Sequence, residues 1–311
     1  MPDIKSYDVI ILGAGPAGLT AAIYTSRGLL KTLVIEKLGS GGQAALTNEI
    51  ENYPGFPEGV NGYELAQKMD EQAKKFGAEF EYGEIAGIVK DEAGFTVTAS
   101  GNTYSARALI VATGVSPRKL GIEGEDKFIG NGISFCATCD AAFYKGKTAA
   151  IIGGGDSAIV EANFLTRFAS KVYVIHRRNE LRASKIVSDH AFKNNKIEFI
   201  WDTVVKGVAG DKKLEKLSLE NVKTGALSEL TVDGMFLYIG GIPNTDFLSG
   251  IGVALNSKGF ILTGGNMNTN IPGVFAAGDI REKEFRQVIT AAGDGALAAY
   301  GAENYLEELR R

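Results

Sequence analysis

Tyr7-Asp8-Val9-Ile10-Ile11-Leu12-Gly13-Ala14-Gly15-Pro16-Ala17-Gly18 is an apolar run that ends in a glycine loop, and its pattern returns as Thr148-Ala149-Ala150-Ile151-Ile152-Gly153-Gly154-Gly155-Asp156-Ser157-Ala158. A short apolar run closed by glycines reads as a buried strand, and the residues behind it as a helix. Gly13, Gly15 and Gly18 are spaced so that the chain turns tightly, backbone N–H groups approach a pyrophosphate, and the helix N-terminus points at it. Helices read at Pro16–Arg27 and Ser157–Phe168 lead to second strands at Thr32–Ile35 and Lys171–Ile175. Two copies of one mononucleotide-binding unit predict an α/β protein with two Rossmann-like nucleotide-binding domains.

The residue 23 positions after each first glycine separates the two loops: Glu36 in one, His176 followed by Arg177 and Arg178 in the other. A carboxylate there accepts hydrogen bonds from a ribose and repels a 2′-phosphate, so Glu36 marks a site for FAD or NAD(H). His176, Arg177, Arg178 and Arg182 make a fork of cationic donors suited to the 2′-phosphate of NADPH. Gly153, Gly155, Asp156 and Ser157 complete that second loop.

Both cysteines of the chain lie in Cys136-Ala137-Thr138-Cys139-Asp140, just before the second loop. Zinc would need four ligands, and the two histidines, His176 and His190, match no common spacing with the pair. A Cys-x-x-Cys instead permits a reducible disulfide that exchanges with other dithiols. Exchange needs a thiolate and a proton for the leaving sulfur, which makes the Asp140 carboxyl the natural acid/base.

Composition narrows the function classes. With 311 residues and 45% hydrophobic content the chain can fill two cores, and 40 glycines against 7 prolines read as tight turns rather than a disordered tract. A net charge of −4 and a pI of about 5.5 leave no basic stripe for nucleic acid. No export signal is visible, and the apolar stretch Val9–Tyr24 is interrupted by glycine and proline. A cytoplasmic protein with no membrane association is expected.

Elsewhere, Glu64–Phe76 carries Leu65, Met69, Gln72 and Phe76 at helical spacing, while Phe95–Thr98 and Arg107–Val111 read as strands, the latter closing on Ala112-Thr113-Gly114. Asp189–Asn195 closes a helical stretch; 197–200, 214–220 and 229–239 read as strands, and 240–245 as a break. Val274–Ala276 is a strand ending at Gly278-Asp279, and a last helix starts near Gln287.

Cys-Ala-Thr-Cys-Asp at 136–140, the Gly-Gly-Gly-Asp-Ser-Ala loop and His-Arg-Arg-x-x-x-Arg at 176–182 together resemble the low-molecular-weight thioredoxin reductases. The resemblance spans the whole chain and includes Gly41-Gly42-Gln43, Asn52 within 51–55, Ala112-Thr113-Gly114, Gly278-Asp279 and Arg286-Gln287. It implies that residues 1–116 and 246–311 form an FAD domain, with 117–245 inserted as an NADPH domain carrying the Cys-x-x-Cys. FAD would be held by Gly13, Gly15, Pro16, Ala17, Gly18, Glu36, Lys37, Gly42, Gln43, Asn52, Ala112–Gly114, Gly278, Asp279, Arg286 and Gln287.

By the same resemblance, Cys139 faces the flavin, Cys136 attacks the disulfide of thioredoxin, and Asp140 supplies the proton. A rotation of the inserted domain about residues 115–118 and 243–246 and a homodimer through the FAD domains are also implied. The family commonly follows the aspartate with glycine and two bulky residues, where this chain has Ala141-Ala142-Phe143. A glutaredoxin-like partner therefore stays open beside thioredoxin. The flavoprotein of alkyl hydroperoxide reductase, ferredoxin-driven reductases and dithiol oxidases share parts of the pattern, but the first carries an extra module and the others have less use for the arginine fork.

Overall fold

The computed structural model describes residues 4–47 and 49–311. The chain divides into two compact units, one running up to Ser116 and again from Ile242, the other spanning Pro117–Gly241.

The first unit opens with β1 (Lys5–Leu12), α1 (Pro16–Arg27) and β2 (Thr32–Glu36). Val9, Ile10, Ile11 and Leu12 are all fully buried. A strand with parallel neighbours on both edges and covered faces needs such an uninterrupted apolar run. β2 pairs with β1 from Val9↔Thr32 to Leu12↔Ile35. α1 begins at Pro16, a position whose missing N–H costs nothing, and Gly15 at its N-cap supplies no capping side chain.

α2 (Gly62–Lys75) contrasts with it, because the Asn61 side chain accepts hydrogen bonds from the N–H groups of Tyr63 (3.0 Å) and Glu64 (3.3 Å). Its buried stripe runs through Leu65, Ala66, Met69 and Ala73, whereas Gln72 and Phe76 of the expected stripe are exposed. β3 (Glu79–Tyr82), β4 (Ile85–Lys90), β5 (Phe95–Ala99) and β6 (Asn102–Val111) follow, then β7 (Val115–Pro117). The sheet order is β3-β2-β1-β6-β5-β4. β3 and β4 escape a pattern search because they are edge-side strands without clean alternation.

The second unit contains α3 (Glu125–Phe128), β8 (Ile133–Ser134), α4 (Ala137–Asp140), β9 (Thr148–Ile152), α5 (Asp156–Leu165) and β10 (Lys171–Ile175). It continues with α6 (Lys185–Lys193), β11 (Ile197–Ile200), β12 (Thr203–Ala209), β13 (Lys216–Asn221), β14 (Leu227–Thr231) and β15 (Gly234–Leu237). A parallel sheet of order β11-β10-β9-β15-β8 forms its core, beside an antiparallel ribbon β12-β13-β14.

The single strand expected at 229–239 is in fact two. Val232 N–H bonds the Glu215 carbonyl of the ribbon side, while Asp233 accepts the Thr148 N–H with its carboxylate at 2.9 Å, so the chain changes sheets between them. α5 stops at Leu165, three residues before the end read from sequence, and α6 ends at Lys193, two residues before the Asn195 close read from sequence.

At the crossover, β16 (Gly241–Pro243) pairs with β7, and in the first unit β17 (Val274–Ala276) joins β6 in parallel, Val274↔Leu109 to Ala276↔Val111. The returning part of the first unit opens at Ile242. Asn244 explains this: its N–H bonds the Gly114 carbonyl, its Nδ2 donates to the Thr113 carbonyl at 2.8 Å, and Ser116 Oγ donates to its Oδ1 at 2.6 Å. α7 (Val288–Glu308) closes the unit and packs along α1. No helix among the described residues is long and apolar enough to cross a membrane.

Candidate functional site

Four segments distant in sequence converge on the start of α1. A Cβ on Gly13 would lie 2.5 Å from the Ala112 carbonyl oxygen, and one on Gly18 would collide with the Gly13 carbonyl, so both glycines are required by close packing. Gly15 is different: nothing lies within 4 Å of where its Cβ would sit. That open ground faces the uncapped N–H groups of α1, the arrangement a pyrophosphate occupies. The Gly41 N–H bonds the Ala14 carbonyl at 2.7 Å, and a Cβ on Gly42 would sit 3.3 Å from Gly15 Cα, which brings the 41–43 turn against the loop. Gln43 is exposed in that turn. Gly278, with φ +79°, abuts Ala17 so closely that its Cβ would stand 2.8 Å from the Ala17 Cβ.

Glu36 ends β2 with its carboxylate already oriented. Oε2 accepts the Ala14 N–H at 2.7 Å and Oε1 the Leu38 N–H at 3.1 Å, leaving lone pairs on both oxygens. Lys37 is turned away to an exposed ion pair with Glu84 at 2.7 Å. Asn52 Nδ2 donates to Gln287 Oε1 at 2.9 Å, joining two segments 235 residues apart. Arg286 lies over the Phe260 ring at 4.4 Å.

Two buried polar atoms here lack a hydrogen-bond partner among the described residues: Asp279 Oδ1 and Arg286 Nε. Lys283 approaches Asp279 Oδ1 only to 3.6 Å. Burial holds the Asp279 carboxyl above the usual carboxylate range, against the pull of Lys283 and Arg286. Buried polar atoms in folded proteins are normally satisfied, so an acceptor and a donor left open beside a glycine cradle fit a polar ligand of dinucleotide type.

Sequence reading missed the group that supports this corner. Asp294 of α7 accepts from the Gly278 N–H (3.2 Å), Arg281 Nε (3.0 Å) and Lys283 Nζ (2.9 Å) in a nearly sealed cluster. Asp294→Asn strands a buried ammonium and loosens the Gly278-Asp279 turn, an expected loss of about 3 kcal/mol. Thermal unfolding and the ratio of bound flavin to protein are both expected to fall; unchanged flavin content refutes the supporting role.

In the second unit, Gly155 also leaves its surroundings open and serves as an uncapped N-cap to α5. Asp156 Oδ1 accepts the Ser184 N–H at 2.9 Å, and the N–H groups of Arg182 and Ala183 both bond the Gly154 carbonyl, so the arginine-bearing segment is stapled to the loop. Arg177, Arg178 and Arg182 are exposed. His176 is not: it is 5% exposed, and its ring lies where a Gly154 Cβ would come within 2.6 Å. Burial first, then Arg182, Arg177 and Arg178, lower its pKa, and its Nε2 has no hydrogen-bond partner among the described residues. The expected four-cation fork is thus three arginines and a neutral imidazole.

Cys136 and Cys139 form a disulfide with Cα atoms 5.3 Å apart. Cys136 is the N-cap of α4, and its Sγ accepts the Cys139 N–H at 3.1 Å. A sulfur in that position has its thiolate stabilised once the pair is reduced. Ser134 Oγ accepts the Cys136 N–H (3.1 Å), and the Tyr238 hydroxyl accepts that of Ala137 (2.8 Å). Cys139 is exposed and Cys136 half-buried. Asp140 follows directly at the end of α4, and Phe143 beyond it is 71% exposed.

The family profile described as pyridine nucleotide-disulphide oxidoreductase matches residues 7–295. The chain belongs to this family. Its relatives include thioredoxin reductases of Listeria innocua, 49% identical with 98% of this chain and 96% of that one covered, and of Bacillus subtilis, 49% identical with 100% and 98% covered. Among solved structures, the thioredoxin reductase of Lactococcus lactis superposes with a TM-score of 0.95 at 45% identity, covering 97% of this chain and 99% of that one. The thioredoxin reductase of T. acidophilum gives 0.93 at 34% identity, covering 98% and 99%. For a pyridine nucleotide-disulphide oxidoreductase the two glycine loops and the disulfide are the expected working parts. Asn244, which ties down residues 113–116, and Asp294, which holds the Gly278-Asp279 turn, carry no motif signal, since each acts only through contacts made in three dimensions.

Proposed function

We propose that the chain is an NADPH-dependent thioredoxin reductase that works through FAD and the Cys136–Cys139 pair. The observation that carries this reading is a disulfide placed on an N-cap turn in the same unit as a phosphate loop stapled to three exposed arginines. Arg177, Arg178 and Arg182 hold the 2′-phosphate, and the α5 N-terminus with Gly153, Gly155 and Ser157 holds the pyrophosphate. The α1 loop, Glu36 and the Gly278-Asp279 turn hold FAD, with Gln43, Asn52, Thr113, Arg286 and Gln287 around it. FAD, when bound, supplies the two-electron relay from the nicotinamide to the disulfide. Once the pair is a dithiol, the Cys136 thiolate attacks one sulfur of the thioredoxin disulfide. Asp140 passes a proton to the leaving sulfur and takes back the proton of the Cys139 thiol; the Cys139 thiolate then attacks Cys136 Sγ, and the second thioredoxin sulfur leaves and takes a proton from solvent, which releases reduced thioredoxin and restores the disulfide.

The test is anaerobic titration of the purified, flavin-loaded protein. NADPH is expected to bleach the flavin absorbance rapidly and oxidised thioredoxin to restore it, with NADH far less effective. A colourless protein that takes up no FAD overturns the reading. Ala142 and Phe143, both exposed beside the pair, favour a second partner class, so the same recolouring is to be compared with a glutaredoxin-like disulfide. Tyr24 of α1 and Tyr300 of α7 are half exposed on helices that pack together, which supports a homodimer through the first unit, checked by the molar mass from light scattering. A cytoplasmic location accords with a pair that must cycle between dithiol and disulfide.

A further inference from the structure

Directly under the redox turn lies a carboxyl group that the exchange chemistry does not use. Glu161 of α5 is 7% exposed, and Thr138, midway between the cysteines, donates its hydroxyl to both carboxylate oxygens at 3.1 and 3.3 Å. The backbone of Thr138 also hydrogen-bonds it. Tyr238, beyond the end of β15, closes the other side by accepting the Ala137 N–H at 2.8 Å. Thus two of the residues of α4 are held from below, one by Glu161 and one by Tyr238.

We infer that Glu161 is a positioning residue for the redox pair: through Thr138 it holds the turn between the cysteines, and its charge governs how readily Cys136–Cys139 is reduced at alkaline pH. This rests on the redox reading of the pair given above. Burial raises the Glu161 carboxyl to about 7, with the Thr138 hydrogen bonds pulling the other way. Two further ionisable side chains act on this spot. The Tyr238 hydroxyl is kept protonated by burial and then by Glu161, and Asp140 at the end of α4 adds to the negative field on Tyr238.

Reduction by dithiothreitol makes the balance explicit. Two electrons break the Sγ–Sγ bond while the reagent closes to its own disulfide and gives up two protons. One proton goes to Cys139 Sγ; the other goes to solvent when Cys136 stays a thiolate at the α4 N-cap. A negative Glu161 opposes that new charge, and a neutral one does not. Since a raised carboxyl is neutral below its titration and charged above it, the opposition exists only on the alkaline side.

The experiment equilibrates the flavin-loaded protein with dithiothreitol mixtures across pH, quenches, alkylates and counts free thiols by mass. Glu161→Gln keeps an acceptor for Thr138 and removes the charge. Near pH 5.5 it is expected to match the wild type; near pH 8.5 its pair is expected to be reduced about ten-fold more readily, the scale of one unit charge acting across a partly buried site. Thr138→Val, which withdraws a hydrogen bond from the charged form, is expected to move the onset of the wild-type lag to higher pH, and it carries the test should the glutamine variant not fold. Curves that coincide at every pH, or differ by a constant factor throughout, overturn the inference. A pair that dithiothreitol reduces but NADPH never does, in wild type and variant alike, instead defeats the redox reading itself.

Discussion

Cys139→Ser is expected to trap thioredoxin as a stable mixed disulfide, whereas Cys136→Ser is expected to form none and to lose turnover by at least about a thousand-fold, the scale on which removal of a covalent nucleophile is felt. The asymmetry follows from α4. Cys136 Sγ sits at its N-cap and accepts the Cys139 N–H at 3.1 Å, so after reduction the negative charge is stabilised on Cys136. With Cys139 gone, a thiolate attack by Cys136 has no second sulfur to resolve it. With Cys136 gone, Cys139 lacks that hydrogen bond and that position. NADPH is expected to bleach the flavin in both proteins. Intact-mass detection of the covalent complex decides the matter, and a complex formed by Cys136→Ser alone reverses the two roles.

The double variant Arg177→Ala, Arg178→Ala is expected to lower kcat/KM for NADPH by about 100- to 10,000-fold and to leave that for NADH nearly unchanged. Each charge-assisted hydrogen bond to phosphate is worth roughly 1.5–3 kcal/mol, so two removed together span that range. Both side chains are exposed and free to swing onto a phosphate, while their backbone is held by the Thr203 and Asp202 N–H groups bonding the His176 and Arg178 carbonyls. His176→Ala separates the contributions. A buried neutral ring packed over Gly154 shapes the loop for either coenzyme, so its loss is expected to weaken NADPH and NADH alike. A selective loss of NADPH on His176→Ala returns the imidazole to the phosphate fork.

The βαβ units were legible because their signal is local. Apolar runs such as Val9–Leu12 must be buried on both faces, and glycines at 13, 15 and 18 leave few other backbones open. β4 and β12 were not legible, since their half-exposed surfaces blur the alternation. The 229–239 run is misread for another reason: the Asp233-Gly234 pair inside it marks a break that its apolar flanks obscure, and only the fold shows Thr148 of a distant strand donating to that carboxylate.

Residue chemistry along the chain therefore determined the two nucleotide loops, the acid or base at the tip of each second strand, and the reducible pair, since each depends on spacings of a few residues. Tertiary structure alone decided that His176 is sealed and neutral, that Asn244 draws the chain back at Ile242, and that Asp294 and Glu161 stand beneath the working groups. The physical reason is desolvation and contact between segments far apart: a side chain's charge and partners depend on what covers it, and no local spacing records the cover.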